Sequence, residues 1–199
     1  MKAIPPYTVL YADDDIVVLN KKSGLLIAAD RYDEAAPRLD IEAESEFGKR
    51  FAVHRIDKDT SGVLIAAKNR DAEVFLQSEF KNRRVKKEYI AIVSGHPPAL
   101  EGEIKNHLCR SSSNRKRFTV SSDDETGKFA HTRYRCVGIY GPYSLMRIRI
   151  KTGRTHQIRV HVTECGFPIV CDPLYGPAGQ KSVRLSELKR SWRGDPFEE

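Results

Sequence analysis

With 199 residues and 22.6 kDa, the chain is long enough for one large domain or two small ones, and its net charge of +7 favours a polyanionic partner. No stretch approaches the roughly 18 consecutive apolar residues of a membrane span, and residues 1–6 lack the apolar region of a secretion signal. Four sparse cysteines without a C-x-x-C pair argue against a disulfide framework and a zinc site, so we expect a cytoplasmic protein without metal or membrane association.

The first half of the chain alternates short apolar runs with polar segments. Residues 16–19 predict a buried strand, which a Ser-Gly turn ends. Residues 28–50 are polar and poorly patterned, which predicts a loop with a helix over 39–49. The apolar run at 63–67 predicts another buried strand, and the apolar spacing over 70–83 predicts an amphipathic helix.

The second half of the chain is richer in strand patterns. Strands are predicted at 89–93, 118–120, 130–137 and 143–151. Arginine and lysine alternate with apolar residues along the last of these, which gives that strand one basic and one apolar face. A helix is expected over 154–163, with Ile158 and Val162 facing the core. The irregular alternation with hairpin-length gaps predicts an α+β fold with a mixed, largely antiparallel central sheet and flanking helices.

Positive charge is concentrated in two segments. Residues 81–87 contain Lys81, Arg83, Arg84, Lys86 and Lys87. A polar insertion over 108–128 adds Arg110, Arg115, Lys116 and Arg117. Such clusters are typical of a surface that contacts nucleic-acid phosphates, although an ordinary solvated surface also carries charge runs. From these residues alone both interpretations stand.

Residues 54–62, His-Arg-Ile-Asp-Lys-Asp-Thr-Ser-Gly, form the most informative segment of the chain. Asp57 lies on a predicted loop that leads into a buried strand, and rigid elements position the chemistry of such loops. Asp and Ser also cap turns by accepting hydrogen bonds from nearby N–H groups, which is the commoner use of these residues. On an extended loop Asp59 would share a pocket with Asp57, but we favour a turn or capping role for Asp59 because like charges repel.

The same segment resembles the H-R-L-D-x-x-T-S-G signature of the RluA-type pseudouridine synthases, with Ile56 in place of the usual Leu. Further segments are similar to the family's N-K-P-x-G-L, K-x-Y, T-G-R-x-H-Q-I-R-V-H and G-D-x-x-Y-G strings, in family order, at 20–25, 86–89, 151–161 and 171–176. Two positions depart from these strings, since Lys22 replaces Pro and Cys171 replaces Gly. After Gly176 the family continues into an L-H-A-containing strand, for which residues 183–188 are a partial substitute with Leu185 as its apolar residue.

The resemblance implies a single pseudouridine synthase catalytic domain over residues 1–199, with a shortened C-terminal end after about residue 176. It also implies a cleft across the sheet and isomerisation of uridine to pseudouridine in structured ribosomal or transfer RNA, without cofactor or metal. That reaction requires one carboxylate as a nucleophile at the sugar or the base, whereas ordinary glycoside hydrolysis requires two carboxyl groups. The residue that matches the nucleophile is Asp57.

The resemblance assigns further roles. Arg154 would orient Asp57 through a guanidinium–carboxylate fork, and Tyr89 would lie against the uracil and relay a proton from C5. On spacing alone, Tyr89 is instead a strand residue packing on the core, and Arg154 a surface charge at a helix end. Because a uridine in folded RNA must leave its stack, Arg55 would fill the vacated space, and Thr60 belongs to the same substrate-binding group. Phosphates would be held by Lys81, Arg83, Arg84, Lys86, Lys87, Arg115, Lys116 and Arg117.

Two other functions are compatible with parts of this pattern. A basic RNA-binding or ribosome-assembly protein would keep the fold without catalysis. A DNA- or nucleotide-directed glycosidase would require a second well-placed carboxylate, which makes it the weaker alternative. We expect a monomeric enzyme whose partner is ribosomal or transfer RNA.

Overall fold

Antiparallel strands dominate the fold, which a computed structural model describes for residues 6–29, 36–44, 51–123, 126–178, 180 and 182–183. The chain separates into two compact units, Met1–Val85 and Lys86–Glu199, and each is described by itself. The helix predicted over 39–49 lies partly outside the described residues, and Leu185 lies wholly outside them.

A four-stranded antiparallel sheet forms the centre of the first unit. Its strands, in the order β1-β2-β4-β3, are β1 (Tyr7–Ala12), β2 (Ile16–Lys21), β3 (Phe51–Ala52) and β4 (Gly62–Ala67). The predicted strands at 16–19 and 63–67 are confirmed. β2 continues to Lys21 because Asn20 and Lys21 still pair with Val63 and Gly62 of β4.

Helices α1 (Leu39–Glu42) and α2 (Arg70–Lys81) complete the first unit. Asn69 begins α2 by accepting a hydrogen bond from the Ala72 N–H at 2.9 Å, as an N-cap does. The helix ends two residues earlier than predicted because Arg83 adopts a left-handed backbone with φ of 57°. The apolar interior of the unit consists mainly of Val17, Leu19, Leu25, Ile27, Leu39 and Leu64.

A five-stranded antiparallel sheet forms the centre of the second unit. Its strands, in the order β5-β9-β8-β6-β7, are β5 (Lys87–Ser94), β6 (Glu101–Arg110), β7 (Phe118–Val120), β8 (Lys128–Tyr140) and β9 (Tyr143–Ile150). The four predicted strands are confirmed. Strand β6 was not predicted, because its sequence has no apolar run. Only Ile104 and Leu108 of this strand are buried, and the strand pairs with β8 over eight positions.

Helix α3 (Gln157–Glu164) packs against one face of this sheet. Val162 is fully buried and Ile158 packs on the same core, as predicted. The helix begins at Gln157 and not at Arg154, because His156 takes a left-handed backbone with φ of 55°. On the other face of β9, Arg147 and Arg149 are exposed, which confirms the alternation predicted for that strand.

These elements confirm the predicted α+β class with largely antiparallel pairing. Within the described part of the chain, no helix has the length and apolar character needed to cross a membrane.

Candidate active site

Asp57 lies on the loop that connects β3 to β4, and it is half-buried. The loop turns immediately after it, where the Thr60 N–H donates to the Asp57 carbonyl at 3.1 Å. The segment that follows β2 anchors this turn. The Gly24 N–H donates to the Lys58 carbonyl at 2.9 Å, and the Ser23 hydroxyl donates to the Asp59 carbonyl at 2.8 Å. The backbone of the turn itself is therefore stabilised by residues more than thirty positions earlier in the chain.

Lys21 lies beneath this loop and is completely buried. Its ammonium group donates three hydrogen bonds, to the carbonyl oxygens of Lys22, Leu25 and Lys58 at 2.8–2.9 Å. Burial lowers the pKa of Lys21 to about 8, and the nearby charges of Asp59 and Asp57 oppose that shift.

The residues around Asp57 alternate between the interior and the surface. His54 accepts a hydrogen bond from the Ile65 N–H at 3.0 Å through Nε2, and its ring stacks on Phe80 with centroids 4.6 Å apart. Ile56 packs against the core of the first unit, whereas Arg55 is exposed. Two positions of the signature thus act as scaffold. Arg55 is left accessible to a ligand.

The other two positions of interest in the loop are Thr60 and Asp59. Thr60 is half-buried and its backbone closes the turn after Asp57. Asp59 is exposed within the turn itself, where the sequence analysis placed it.

Tyr89 occupies the third position of β5, where it pairs with Ile148 of β9. Its ring is half-buried and packs against the core of the second unit. Lys87, two residues earlier, donates from its ammonium group to the Thr152 carbonyl at 3.3 Å. The first residue of β5 is therefore bonded to the segment that follows β9.

Arg154 lies in that segment, between β9 and α3, and is half-buried. Its guanidinium Nε donates to the Phe129 carbonyl of β8 at 2.9 Å, which orients the side chain. Its backbone N–H donates to Oε1 of Gln157 at 3.0 Å, and the Thr152 hydroxyl donates to the same oxygen at 2.6 Å. We call residues 151–156 the Arg154 turn. The Gln157 side chain stabilises this turn through its bonds to the Thr152 hydroxyl and the Arg154 N–H.

Gln157 is itself buried in a network that sequence analysis did not find. Its Nε2 donates to the His131 carbonyl at 3.1 Å and to the Thr132 hydroxyl at 3.0 Å. Thr132 is 2.8 Å from Nδ1 of His161, whose Nε2 is 2.8 Å from Oδ1 of Asn106. Burial, and secondarily the charge of His131, lowers the pKa of His161 to about 4, so this imidazole is neutral at physiological pH. The Gln and the second His of the T-G-R-x-H-Q-I-R-V-H string are thus support for the turn.

The predicted phosphate-binding residues differ in their surroundings. Lys81, Arg83, Lys86, Arg115 and Lys116 are exposed. Arg84 is exposed but forms an ion pair with Glu79, and Lys87 bonds to the Thr152 carbonyl as described above. Arg117 is half-buried, with its guanidinium carbon 5.0 Å from the centroid of the Tyr175 ring.

The predicted catalytic residues are distributed over both units. Asp57 belongs to the first, and Tyr89 and Arg154 belong to the second. Across the described ranges, no three His, Cys, Asp or Glu side chains gather as metal ligands would.

The sequence and the fold are both similar to those of known RNA pseudouridylate synthases. Residues 15–164 match the family model described as RNA pseudouridylate synthase. The fold is similar to that of human RNA pseudouridylate synthase domain containing 1, with a TM-score of 0.77, 28% identity, and coverage of 91% of this chain and 74% of that one.

Curated relatives agree with this match. Ribosomal large subunit pseudouridine synthase D of Borreliella burgdorferi is 39% identical over 198 residues, which cover 94% of this chain and 60% of the relative. The dual-specificity RNA pseudouridine synthase RluA of Escherichia coli K12 is 39% identical over 173 residues, which cover 86% and 78%. The chain thus spans somewhat less than two thirds of the first relative and more than three quarters of the second. With a family model and relatives that both cover most of its length, the chain belongs to the RNA pseudouridylate synthase family.

Proposed function

We propose that this chain isomerises uridine to pseudouridine in structured ribosomal or transfer RNA, with Asp57 as the nucleophile. The observation that carries the proposal is the environment of Asp57 in the loop between β3 and β4, residues 53–61, which we call the Asp57 loop. Its carboxylate is half-buried, and Lys21, Ser23 and Gly24 stabilise the turn that follows it through hydrogen bonds to the backbone. An ordinary turn-capping aspartate requires no buried cation beneath it. Family membership supports the same reaction.

The chemistry requires only one carboxylate. Asp57 attacks the sugar or the base, the bond between N1 and C1′ breaks, and uracil turns within the site. A bond between C5 and C1′ then forms, and the bond between Asp57 and the nucleoside breaks, which frees the carboxylate. The hydrogen leaves C5 and N1 gains a proton, so the product has the same atoms as the substrate.

Arg154 and Tyr89 are proposed as the other catalytic residues. A guanidinium can hold a carboxylate by two parallel hydrogen bonds, and the bond from Arg154 Nε to the Phe129 carbonyl leaves both terminal nitrogens to do so. Tyr89 would lie against the uracil, and its hydroxyl would relay the proton released from C5.

RNA is proposed to bind through the exposed cations. Lys81, Arg83, Lys86, Arg115 and Lys116 are free of the ion pair and backbone contact that Arg84 and Lys87 make, so they would dominate the phosphate contacts. Arg55 and Thr60 flank Asp57 in the same loop and would contact the flipped nucleotide, with the Arg55 guanidinium filling the vacated stack.

Tritium release from RNA labelled at C5 of uridine tests the proposal, because bond formation at C5 expels that hydrogen. The wild-type protein should release tritium from ribosomal or transfer RNA that lacks the modification. Asp57→Asn keeps the shape and hydrogen bonds of the side chain but removes the nucleophile, so release should fall to background with RNA affinity retained.

Asp59→Asn is the matched control, since it removes the neighbouring carboxylate of the same turn and should keep most of the activity. A wild-type protein that binds RNA but releases no tritium would favour the non-catalytic RNA-binding alternative. Full activity in Asp57→Asn would reject the catalytic assignment.

A further inference from the structure

Tyr175 belongs to the string at 171–176, to which the proposed function assigns no role. Its side chain is buried, and its hydroxyl oxygen accepts a hydrogen bond from the Phe118 N–H at 2.7 Å. The same oxygen lies 2.8 Å from Nδ1 of His156. One hydroxyl therefore joins the hairpin of β6 and β7 to the Arg154 turn.

The position of the Tyr175 ring is itself fixed. The guanidinium carbons of Arg117 and Arg159 each lie 5.0 Å from its centroid. Arg159 makes a two-point ion pair with Asp172, with Nε to Oδ2 at 2.7 Å and Nη2 to Oδ1 at 2.9 Å. Asp172 in turn accepts the backbone N–H groups of Leu174 and Tyr175. The hydroxyl is thus presented by a largely buried assembly.

The partner of this hydroxyl, His156, has an unusual backbone. Its φ of 55° is left-handed, a conformation that a non-glycine residue adopts only where its surroundings hold it there. His156 stands between Arg154 and Gln157, whose side chain accepts the Arg154 N–H. A change of conformation at His156 would therefore displace Arg154 from the amide that anchors it.

We propose that Tyr175 is a positioning residue for Arg154, whose hydroxyl keeps His156 in the left-handed conformation that the Arg154 turn requires. The inference rests on the proposed role of Arg154. It also explains how the hairpin that carries Arg115 and Lys116 is docked, because the Phe118 N–H bonds to that same hydroxyl. Phosphate contacts on the hairpin and the orientation of Arg154 then depend on one buried group.

Tyr175→Phe removes the hydroxyl and keeps the ring between its two arginines. Turnover in the tritium assay should fall about five- to tenfold, the expected result of losing one buried neutral hydrogen bond. RNA affinity should fall by a smaller factor than turnover, because every cation is kept although the hairpin loses its bond to the Tyr175 hydroxyl. Tyr134→Phe is the matched control. It removes the hydroxyl of another buried tyrosine, which packs in the core of the second unit, and it should leave turnover unchanged.

Two substitutions at His156 separate backbone conformation from the loss of the imidazole. His156→Gly and His156→Ala both delete the ring, but only glycine adopts a positive φ without steric penalty. Turnover should therefore be higher in His156→Gly than in His156→Ala. Equal turnover in these two variants would overturn the inference.

Amide hydrogen exchange supplies a measurement that does not depend on activity. Exchange at the Arg154 N–H should be faster in Tyr175→Phe than in the wild type, and unchanged in Tyr134→Phe. If the wild-type protein is active and Tyr175→Phe matches it in both amide exchange and turnover, the positioning role of Tyr175 is overturned and the proposed function is not. A wild-type protein without tritium release would instead reject the proposed function, and exchange would still report whether Tyr175 holds the turn.

Discussion

The Asp57 loop and the Arg154 turn are both irregular segments beside a strand, yet different kinds of buried group hold them. Beneath the Asp57 loop lies the cation of Lys21, which bonds to three backbone carbonyls. Beside the Arg154 turn lies the neutral amide of Gln157, which continues into Thr132 and His161. A cation supports the loop that carries Asp57, and a neutral network supports the turn that already carries the Arg154 cation.

This contrast has an electrostatic reason. The charges of Asp59 and Asp57 favour the cation of Lys21, whereas a second cation beneath Arg154 would repel its guanidinium. The two supports should therefore respond differently to substitution and to pH.

The largest expected effect is at Gln157. Gln157→Met keeps the length of the side chain but removes an amide that makes four hydrogen bonds. The Arg154 N–H loses its acceptor, and the His131 carbonyl keeps only the Lys151 N–H. We expect the free energy of unfolding of the second unit to fall by about 4 kcal/mol. Denaturant unfolding measures the loss. Thr155→Ala, at an exposed neighbour in the turn, should change it little, and equal effects of both variants would contradict the network.

A somewhat smaller effect is expected at Lys21. Lys21→Met removes the donor that the Lys22 and Leu25 carbonyls share and leaves the Lys58 carbonyl with the Gly24 N–H alone. It also removes a buried charge, which offsets part of the loss. The free energy of unfolding should fall by about 3 kcal/mol, measured in the same way. Lys22→Met replaces the adjacent, half-buried lysine and serves as the control. Unchanged stability in Lys21→Met would show that the cation does not support the loop.

The pH dependence sharpens the comparison. His161 has a folded pKa of about 4 against an ordinary 6.5, so the unfolded chain binds more protons in that interval and stability falls as pH falls from 6.5 to 4. Lys21 has a folded pKa of about 8 against 10.5, so its contribution to stability rises as pH rises from 8 to 10.5. Each contribution amounts to at most about 3 kcal/mol.

Unfolding free energies measured across pH should therefore show an acid window that His161→Gln flattens and an alkaline window that Lys21→Met flattens. Lys21→Met should leave the acid window unchanged, and His161→Gln should leave the alkaline window unchanged. A Lys21→Met variant that alters the acid window would contradict the separate assignment of the two supports.

Local sequence patterns predicted much of the fold. The strand at 63–67 was predicted from a short continuous apolar run, and the strand at 143–151 from apolar residues that alternate with basic ones; both are confirmed. Val162 was placed in the core by helical spacing. Strand β6 was missed because its exposed face is charged and its buried positions are few. Its existence depends on β8, about thirty residues later in the chain.

For the candidate site, short strings pointed to Asp57, Tyr89 and Arg154 and to the family, whose model matches residues 15–164. The same strings contain Lys21, Gln157 and Tyr175, but nothing local indicates that these polar side chains are buried. A polar residue is stable in the interior only when distant groups complete its hydrogen bonds.

By itself, then, the sequence determined the α+β class, most strands, the basic segments and the family, because periodicity, charge and string order are properties of neighbouring residues. Tertiary structure alone decided which polar groups support the site. Lys21 meets the Lys58 carbonyl 37 residues away, and His161 meets Asn106 55 residues away. Such pairs form only when the chain folds, since burial and hydrogen bonding depend on what the fold brings together.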